Sequence, residues 1–543
     1  MLDSNIDLEP KTTSEKAVPT SSTEQSLLVN TQIPTITTTS VDTDNVPMAN
    51  SAYCFLSDSK FHCVPIDLVN SLTDKYFDNT NTLLDVSEFT PDKLYLRNKN
   101  LLYSLNNPSF SDVEESNNAN TSFQSASSPS QGTPQPNSAD KLGSSSDDES
   151  SVVSPAIYFP RFIVNLAENL ANDFVQLRDL LCKVFNWSHP EQIQVKQLTG
   201  GITNMLLAIN YHSENYLVRV YGHGTNLIID RHREFISHLT LNSLNLAPPV
   251  HARFKNGVIY GFLPGTSLKP EDLHNPNVYP LVAQLLGVWH NKIDSKVIEG
   301  GIEKLRDFSL SIKKKKSGKS KFKKKFIGNI WELFEQWISI VPVNSKLIDS
   351  FKLHLPDTEV TESNIIQVLL SEYEWFKTTL EAVNSPTVSG HCDLLSGNVI
   401  IPENYDLSAP LTKLPEPENN PIKFIDYEYM LPSPRAFDIA NHFAEWQGFN
   451  CDKSAIPEPT PSNPVMVNFV KGYLNNENAS EQEVNNLIEE IAMFYGLPGF
   501  FWFLWAMIQS ELSNIDFDYA NYAIKRLDEY WDWKYNYVLK QSS

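Results

Sequence analysis

The sequence predicts an α+β fold in two unequal lobes, a small antiparallel sheet first and a larger helical body after it. Three observations carry that expectation. Before Leu263, β-branched and aromatic runs alternate with hairpin signals. After it, apolar residues recur at helical spacing. Late in the chain a polar string, His391 to Asn398, is followed by an apolar approach to Asp426. The expected boundaries are 156–262 for the sheet lobe and 263–543 for the helical lobe, with residues 1–155 set apart as an N-terminal region.

Residues 1–50 and 105–155 are rich in Ser, Thr, Asp, Asn and Pro (SSPSQGTPQPNSADKLGSSSDDESS). Such tracts bury too little apolar surface to offset roughly 1–2 kcal/mol per residue of backbone entropy, and are expected to be disordered. Between them, Tyr53 to Leu105 carries scattered aromatics (Phe55, Phe61, Tyr76, Phe77, Tyr95, Tyr103) and is a candidate small docking piece. From about Tyr158 the apolar density stays high. FIVNLAENLANDFVQLRDLLCKVF spaces its apolar residues at three and four, which reads as an amphipathic helix. Two β-branched runs then flank Gly200-Gly201, an HSEN turn precedes NYLVRVYG, and FKNGVIYGF holds an Asn256-Gly257 hairpin signal. Beyond Leu263, LVAQLLGVWHNKI, WELFEQWISIV and IIQVLLSEYEWFKTTLEAV read as helices. Nine lysines between Lys313 and Lys325 read as a solvated insertion between helices, with nuclear import or attraction to an anionic surface as alternatives.

Composition narrows the function. With 41% hydrophobic and 11% aromatic residues the chain can build a sizeable core, which excludes a wholly disordered or fibrous protein. A net charge of −22 repels phosphate backbones and disfavours general nucleic-acid binding. Five scattered cysteines (Cys54, Cys63, Cys182, Cys392, Cys451) show no zinc spacing and argue against a disulfide framework. The acidic start, MLDSNIDLEP, lacks the form of a secretory signal, and the C-terminal KQSS offers no cysteine to prenylate. The apolar run Gly499–Ile508 is about half of the ~20 residues that cross a bilayer. A cytoplasmic protein without a transmembrane segment is expected.

His391-Cys392-Asp393-Leu394-Leu395-Ser396-Gly397-Asn398 is an H-x-D-x-x-x-x-N string, with Ile425-Asp426 downstream. Phosphoryl transfer asks little covalent chemistry of a protein. It needs a carboxylate to orient the attacking hydroxyl and take its proton, and oxygen ligands for Mg²⁺ on the phosphates. In protein kinases an Asp, an Asn five residues later and a second Asp on a following strand serve these ends. Asp393, Asn398 and Asp426 fit that arrangement, and with it the two lobes take on a protein-kinase-like outline. A lone H-x-D-x-x-x-x-N is weak evidence, since a capped loop between strands gives the same string.

A second string is more specific. IDYEYMLPSPRAFDIANHFAEW, Ile425 to Trp446, resembles the signature of choline/ethanolamine kinases, in which I-D-[FY]-E-Y precedes R-x-[FY]-D-I-[GA]-N-H-F-x-E-[WFY]. Asp426, Glu428, Tyr429, Arg435, Asp438, Asn441, His442, Phe443, Glu445 and Trp446 fall in register. The resemblance runs from about Ala156 to the C-terminus, interrupted at the lysine run. It implies a Mg²⁺-dependent transfer of the ATP γ-phosphate to a small amino alcohol. Asp393 would be the catalytic base and Asn398 and Asp426 the metal ligands. Gly200, Gly201, Asn204 and Arg219 would lie around the ATP phosphates, and Leu263 in the adenine hinge (VIYGFLPG). His391, Glu428, Arg435, Asp438 and Asn441 would be structural supports.

The resemblance further implies an ammonium pocket of Glu445, Tyr429, Trp502, Trp505 and Tyr522, where aromatic faces contribute ~0.5–2 kcal/mol per good cation contact. Taken alone, a glycine pair between strands is a hairpin turn, an arginine on a strand faces solvent, and a tryptophan stripe is core packing. GITN and Leu394-Leu395 resemble ethanolamine kinases, so phosphoethanolamine is the favoured product, with choline as a secondary substrate. An aminoglycoside-type phosphotransferase and a pseudokinase scaffold are the remaining alternatives, and homodimer formation is left open. Two positions depart from the family pattern. Cys392 stands where Asn is usual, and Met430 to Pro434 reads MLPSP where a Tyr-rich segment is usual, which is expected to reshape the mouth of the acceptor pocket.

Overall fold

The computed structural model describes residues 51–57, 59–66, 156–160, 162–165, 169–170, 172–198, 204–222, 225–314, 327–513 and 515–542. The tracts 1–50 and 67–155, the glycines Gly200 and Gly201, and residues 315–325 of the lysine run lie outside them.

Eight strands build the first lobe: β1 (Ser51–Ser57), β2 (Lys60–Ile66), β3 (Ala156–Phe159), β4 (Gln194–Leu198), β5 (Asn204–Tyr211), β6 (Glu214–Tyr221), β7 (Val250–Phe254) and β8 (Gly257–Gly261). Their order across the sheet is β2-β1-β3-β7-β8-β6-β5-β4. All neighbours are antiparallel except β3 and β7, which run parallel. Helix α1 (Val175–Phe185) covers one face, where Leu177, Leu180 and Leu181 bury against Leu207, Ile209, Val218 and Val220. Helix α2 (Arg231–Ser243) lies on the other, and its Phe235, Ile236 and Leu239 join the main core. Along β6, Glu214 and Asn215 are exposed, and from Leu217 to Val220 half-buried and buried residues alternate, as on a strand whose two faces meet unequal partners.

The expected 162–185 helix is interrupted: Asn169 and Leu170 are helical, turns follow at 172–174, and α1 begins at Val175. Phe162 to Asn165 has no regular structure, and Asp173 and Phe174 take φ of 51° and 57° just before α1. A buried amide network wins over helical propensity here. The Gln176 side chain accepts from Asn165 N (3.0 Å) and Asn169 Nδ2 (2.7 Å) and donates to Ile163 O (2.8 Å). Asn256 holds Val164 by both its N–H and its C=O at 2.9 Å. The β7–β8 hairpin forms as expected, with Lys255 and Asn256 as the loop and Gly257 opening β8. A Cβ at Gly257 would meet Arg219 O at 2.4 Å, so only glycine allows β6 so close.

The second lobe contains β9 (Thr266–Ser267), α3 (Tyr279–Lys292), α4 (Ser295–Lys314), α5 (Ile330–Ile340), α6 (Ser345–His354), α7 (Ile365–Glu381), β10 (Thr387–Gly390), β11 (Val399–Ile401), β12 (Lys423–Phe424), β13 (Leu431–Pro434), α8 (Arg435–Ala444), α9 (Pro464–Tyr473), α10 (Glu481–Phe494), α11 (Leu497–Leu512) and α12 (Tyr519–Ser542). Its strands form two small sheets, β10-β13 and β12-β11-β9. Together the lobes give the α+β, kinase-like arrangement that the sequence predicts. The stretch Glu481–Leu512 is long and apolar enough by composition to cross a membrane, and 83% of its apolar window is buried inside the protein. The lysine run sits between α4 and α5, and the first two lysines end α4.

Candidate active site

The H-x-D string leaves β10 at Gly390, where a Cβ would stand 2.3 Å from Ser433 Oγ and 3.1 Å from Asp438 Cγ. That close approach lets the Asp438 carboxylate, from α8, accept the backbone N–H of His391 (2.8 Å) and of Cys392 (2.7 Å), with His290 Nε2 at 2.8 Å. Burial pushes the Asp438 carboxyl up, but its bond to His290 and the neighbouring charges and N–H groups outweigh this and hold it below the ordinary range. His391 Nε2 bonds Ile425 O (3.0 Å), tying the string to the segment that carries Asp426. His442 Nδ1 reaches Leu394 O (2.8 Å) and its Nε2 accepts from Trp446 Nε1 (3.2 Å), a neutral tautomer whose pKa burial lowers to about 4.

Asp393 is buried at the centre of this frame. Asn398 Nδ2 donates to Asp393 O (2.8 Å) and Oδ2 (3.2 Å). Burial, followed by the carboxylates of Asp426, Glu445 and Glu428, pushes Asp393 well above the usual aspartate range, while the Asn398 bond pulls it down. Ile425 N donates to Asn398 O at 3.0 Å, so the loops bearing Asn398 and Asp426 are coupled through one backbone bond. Asp426 itself takes φ 66° and Cys392 φ 60°, both left-handed. Asn tolerates that region far better than Cys, so the departure at position 392 carries a backbone cost of roughly 1–2 kcal/mol. The Cys392 thiol faces Ser433 Oγ at 3.7 Å, away from solvent.

Arg219 reaches the same site from β6. Its Nη1 lies 2.7 Å from Asp426 Oδ1, 3.3 Å from Glu428 Oε2 and 3.5 Å from Glu234 Oε1. Burial works against its charge, but Asp426, Tyr260 and Glu428 outweigh this and hold the guanidinium firmly protonated. Arg231 of α2 bonds Glu234 Oε2 and Glu428 Oε2, each at 2.9 Å, and completes a buried cluster that fixes the small lobe to the segment carrying Asp426 and Glu428. Asn204 opens β5 and pairs with Tyr221, and Leu263 follows β8 in the link between the lobes. Gly200 and Gly201 lie outside the described residues.

The five residues expected to line the acceptor pocket, Glu445, Tyr429, Trp502, Trp505 and Tyr522, are all buried. Trp505 Nε1 donates to Tyr429 OH (2.7 Å) and Trp502 Nε1 to Asn441 Oδ1 (2.8 Å). The Tyr429 and Trp502 rings meet edge-on at 5.9 Å, and Trp502 and Trp505 at 5.4 Å. Burial pushes the Tyr429 phenol well up, so it stays a neutral donor and acceptor. Glu445 and Tyr522 are joined through a residue that sequence reasoning did not single out. Arg526 of α12, fully buried, donates from Nη1 to Glu445 Oε1 and to Tyr522 OH, both at 2.9 Å. Its Nε lies 2.9 Å from Glu529, whose carboxyl burial raises to about 7 despite the guanidinium. Tyr519 extends the aromatic wall, 5.8 Å from Trp505. Of the supports, Arg435 forms a two-pronged pair with Glu490 (2.6 and 3.0 Å), anchoring the start of α8 to α10.

Leu431–Pro434 is the buried strand β13, paired residue by residue with β10. Its small and imino side chains suit a strand pressed beneath the catalytic loop. Arg231 and Arg526 escaped the sequence reading, and Glu234 was read from the sequence only as a candidate start of a supporting helix. The Arg231–Glu234 spacing of three was the available signal, while Arg526 stands on α12 like any solvent-facing arginine.

The donor set suits a hard cation. Asn398 directs both amide hydrogens to Asp393, leaving its amide oxygen, and Asp426 supplies a carboxylate. Mg²⁺ commonly takes one or two carboxylates and completes its shell with phosphates and water. No group of three His, Cys, Asp or Glu among the described residues would hold a metal unaided.

A family model described as Choline/ethanolamine kinase matches residues 195–531. Ethanolamine kinase of Drosophila melanogaster is 32% identical over 323 residues, which cover 59% of this chain and 54% of that protein. The chain therefore spans about half of that relative's length. Ethanolamine kinase 2 of Rattus norvegicus is 30% identical over 350 residues, 63% of this chain and 76% of the relative. A solved ethanolamine kinase of Plasmodium vivax is 30% identical and superposes with a TM-score of 0.47, covering 62% of this chain and 81% of the other.

Proposed function

Because the chain belongs to the choline/ethanolamine kinase family, we propose that it transfers the γ-phosphoryl group of ATP to the hydroxyl of ethanolamine, giving phosphoethanolamine. The observation that carries the proposal is the pairing of two sets of groups. Asp393, Asn398, Arg219 and Asp426 converge on one side, and a buried Tyr429–Trp502–Trp505 wall with the Glu445 carboxylate lies on the other. Glu445 is near enough to Asp393 for its charge to raise that carboxyl.

Asp393 orients the substrate hydroxyl and takes its proton as the phosphoryl group arrives. Its raised pKa makes it a stronger base than a solvated aspartate, at the cost of being protonated at higher pH. Arg219, Asn204 and the Gly200-Gly201 loop hold the phosphates, and the backbone near Leu263 receives the adenine. Asn398 and Asp426 would hold Mg²⁺, which neutralises charge on the phosphate oxygens when bound. His391, Glu428, Arg435, Asp438 and Asn441 keep these groups in place. In the acceptor pocket, an –NH₃⁺ group gains both from a carboxylate and from aromatic faces, whereas trimethylammonium has no N–H to donate. That difference favours ethanolamine over choline. The protein acts in the cytoplasm, and its product is the first intermediate of the CDP-ethanolamine route to phosphatidylethanolamine.

The test is product formation by the purified full chain with ATP, Mg²⁺ and, side by side, ethanolamine, its N-methylated derivatives and choline. A kcat/KM that declines with each added methyl is expected. A maximum at choline would refute the substrate assignment, and no turnover with any of them would refute the activity.

A further inference from the structure

The β1–β2 hairpin lies outside the 195–531 span and supplies none of the groups above, yet it places two of the five cysteines face to face. Cys54 pairs directly with Cys63 in the antiparallel register, and their sulfurs are 3.3 Å apart. Counting from the Ser57–Lys60 pair that closes the turn, Cys54 and Cys63 form a non-hydrogen-bonded pair. The Cα atoms of such pairs are roughly 4.5 Å apart, within the span a disulfide bridges. Cys54 is fully buried, and Cys63 is half-buried and within reach of a small oxidant. Near enough for its charge to act on Cys54 is Arg253 of β7, 3% exposed, whose Nε and Nη1 have no hydrogen-bond partner. The guanidinium lies over the rings of Tyr158 (5.0 Å) and Phe235 (5.3 Å). Burial and the neighbouring thiol push Cys54 up, and the Arg253 charge opposes that push.

We propose that Cys54 and Cys63 are a redox site that hydrogen peroxide converts reversibly to an intrachain disulfide. The Cys63 thiolate attacks one peroxide oxygen, the O–O bond breaks, and hydroxide leaves with a proton as water, giving a sulfenic acid. The Cys54 thiol attacks the Cys63 sulfur as its proton passes to the departing hydroxyl; the S–S bond forms, the S–O bond breaks, and a second water leaves. Two thiols and one peroxide become one disulfide and two waters. Thiols in a reducing compartment are where such transient bonds serve as sensors. The bond would staple a hairpin that rests on α4, where Lys304 Nζ donates to Phe61 O (2.8 Å) and Gly301 leaves room for the Phe61 ring.

The test uses the reduced full chain, treated with hydrogen peroxide, alkylated at remaining free thiols, cut with trypsin and mapped by mass. Trypsin cuts at Lys60, between the two cysteines, so the disulfide appears as two joined peptides, two hydrogens lighter than their sum and free of alkyl groups. Dithiothreitol should separate them and restore full alkylation, and in Cys63→Ser the Cys54 peptide should remain alkylatable after peroxide. Should that variant not fold, the map of the unmodified chain decides alone. Full alkylation of both cysteines after peroxide, a Cys63 peptide carrying two or three oxygens and no joined pair, or joining only between separate chains would each overturn the proposal.

Discussion

Replacing Glu445 with Gln separates an ammonium-binding role from a packing role, because the structure gives Glu445 a defined partner. Arg526 Nη1 donates to Glu445 Oε1, while Arg526 Nε keeps Glu529 at 2.9 Å. In Glu445→Gln the amide oxygen can still accept from Nη1, and the guanidinium retains one carboxylate. The loss of stability should therefore fall well short of the ~3–5 kcal/mol that stripping a buried charge of its partner costs. If Glu445 also receives the substrate ammonium, the variant loses a charge-assisted bond of ~1.5–3 kcal/mol, which is ~10- to 150-fold in KM for ethanolamine. Choline, which donates no hydrogen bond, should lose less. Steady-state kinetics with each alcohol, paired with a melting curve, reads these quantities together. A KM for ethanolamine within about twofold of the parent's, or a fall in ATP affinity as large as the fall for the alcohol, would refute the pocket assignment.

Asp393→Asn should lower kcat by ~10²–10⁴ while nucleotide binding, followed by fluorescence titration, stays close to the parent's; full activity would remove Asp393 from the chemistry. For the unmodified enzyme, the acid limb of kcat/KM should lie above the ordinary aspartate range, since burial and neighbouring carboxylates raise Asp393. Asp426→Ala should abolish turnover and shift the Mg²⁺ dependence of nucleotide binding, and an unchanged Mg²⁺ titration would contradict its role. A chain beginning near Ser151 lacks β1 and β2; losing the buried Leu56 and Phe61 alone forfeits roughly 3–6 kcal/mol, so its melting temperature should fall markedly. Acid should destabilise the fold early. His442 and His251, held by burial near about 4, and His238, near about 3, refuse protons that the unfolded chain takes up below about pH 6.5. The stability present above that pH is lost as the pH falls toward the folded values, and a melting temperature flat from about pH 7 to about pH 5 would contradict this.

The strand and helix pattern was legible wherever a face is buried against a partner of opposite character. The β5–β6 and β7–β8 hairpins and the helices after Leu263 follow it. It failed at Asn169 and Gln176, where polar side chains bond inward and break the helix that their apolar neighbours announce. The groups proposed for catalysis could be picked out because phosphoryl transfer demands particular residue types at short spacing, and the fold brings Asp393, Asn398 and Asp426 together. The cations that balance them could not be picked out. Arg231, 197 residues from Glu428, and Arg526, 81 residues from Glu445, meet their carboxylates only through the tertiary fold.

The two left-handed residues that flank the site set different terms for change. At Asp426 the backbone and the proposed chemistry ask for the same thing, because aspartate is among the few residue types that bear a positive φ cheaply and its carboxylate is the group proposed to ligate Mg²⁺. That position is doubly constrained, and any substitute must satisfy both demands. At Cys392 the demands part. The side chain points into a dry corner against Ser433 and takes no share in the polar work, while the backbone would rest more easily under asparagine. Drift is thus open at position 392 and closed at position 426, although both residues carry the same torsion and bracket the same cleft.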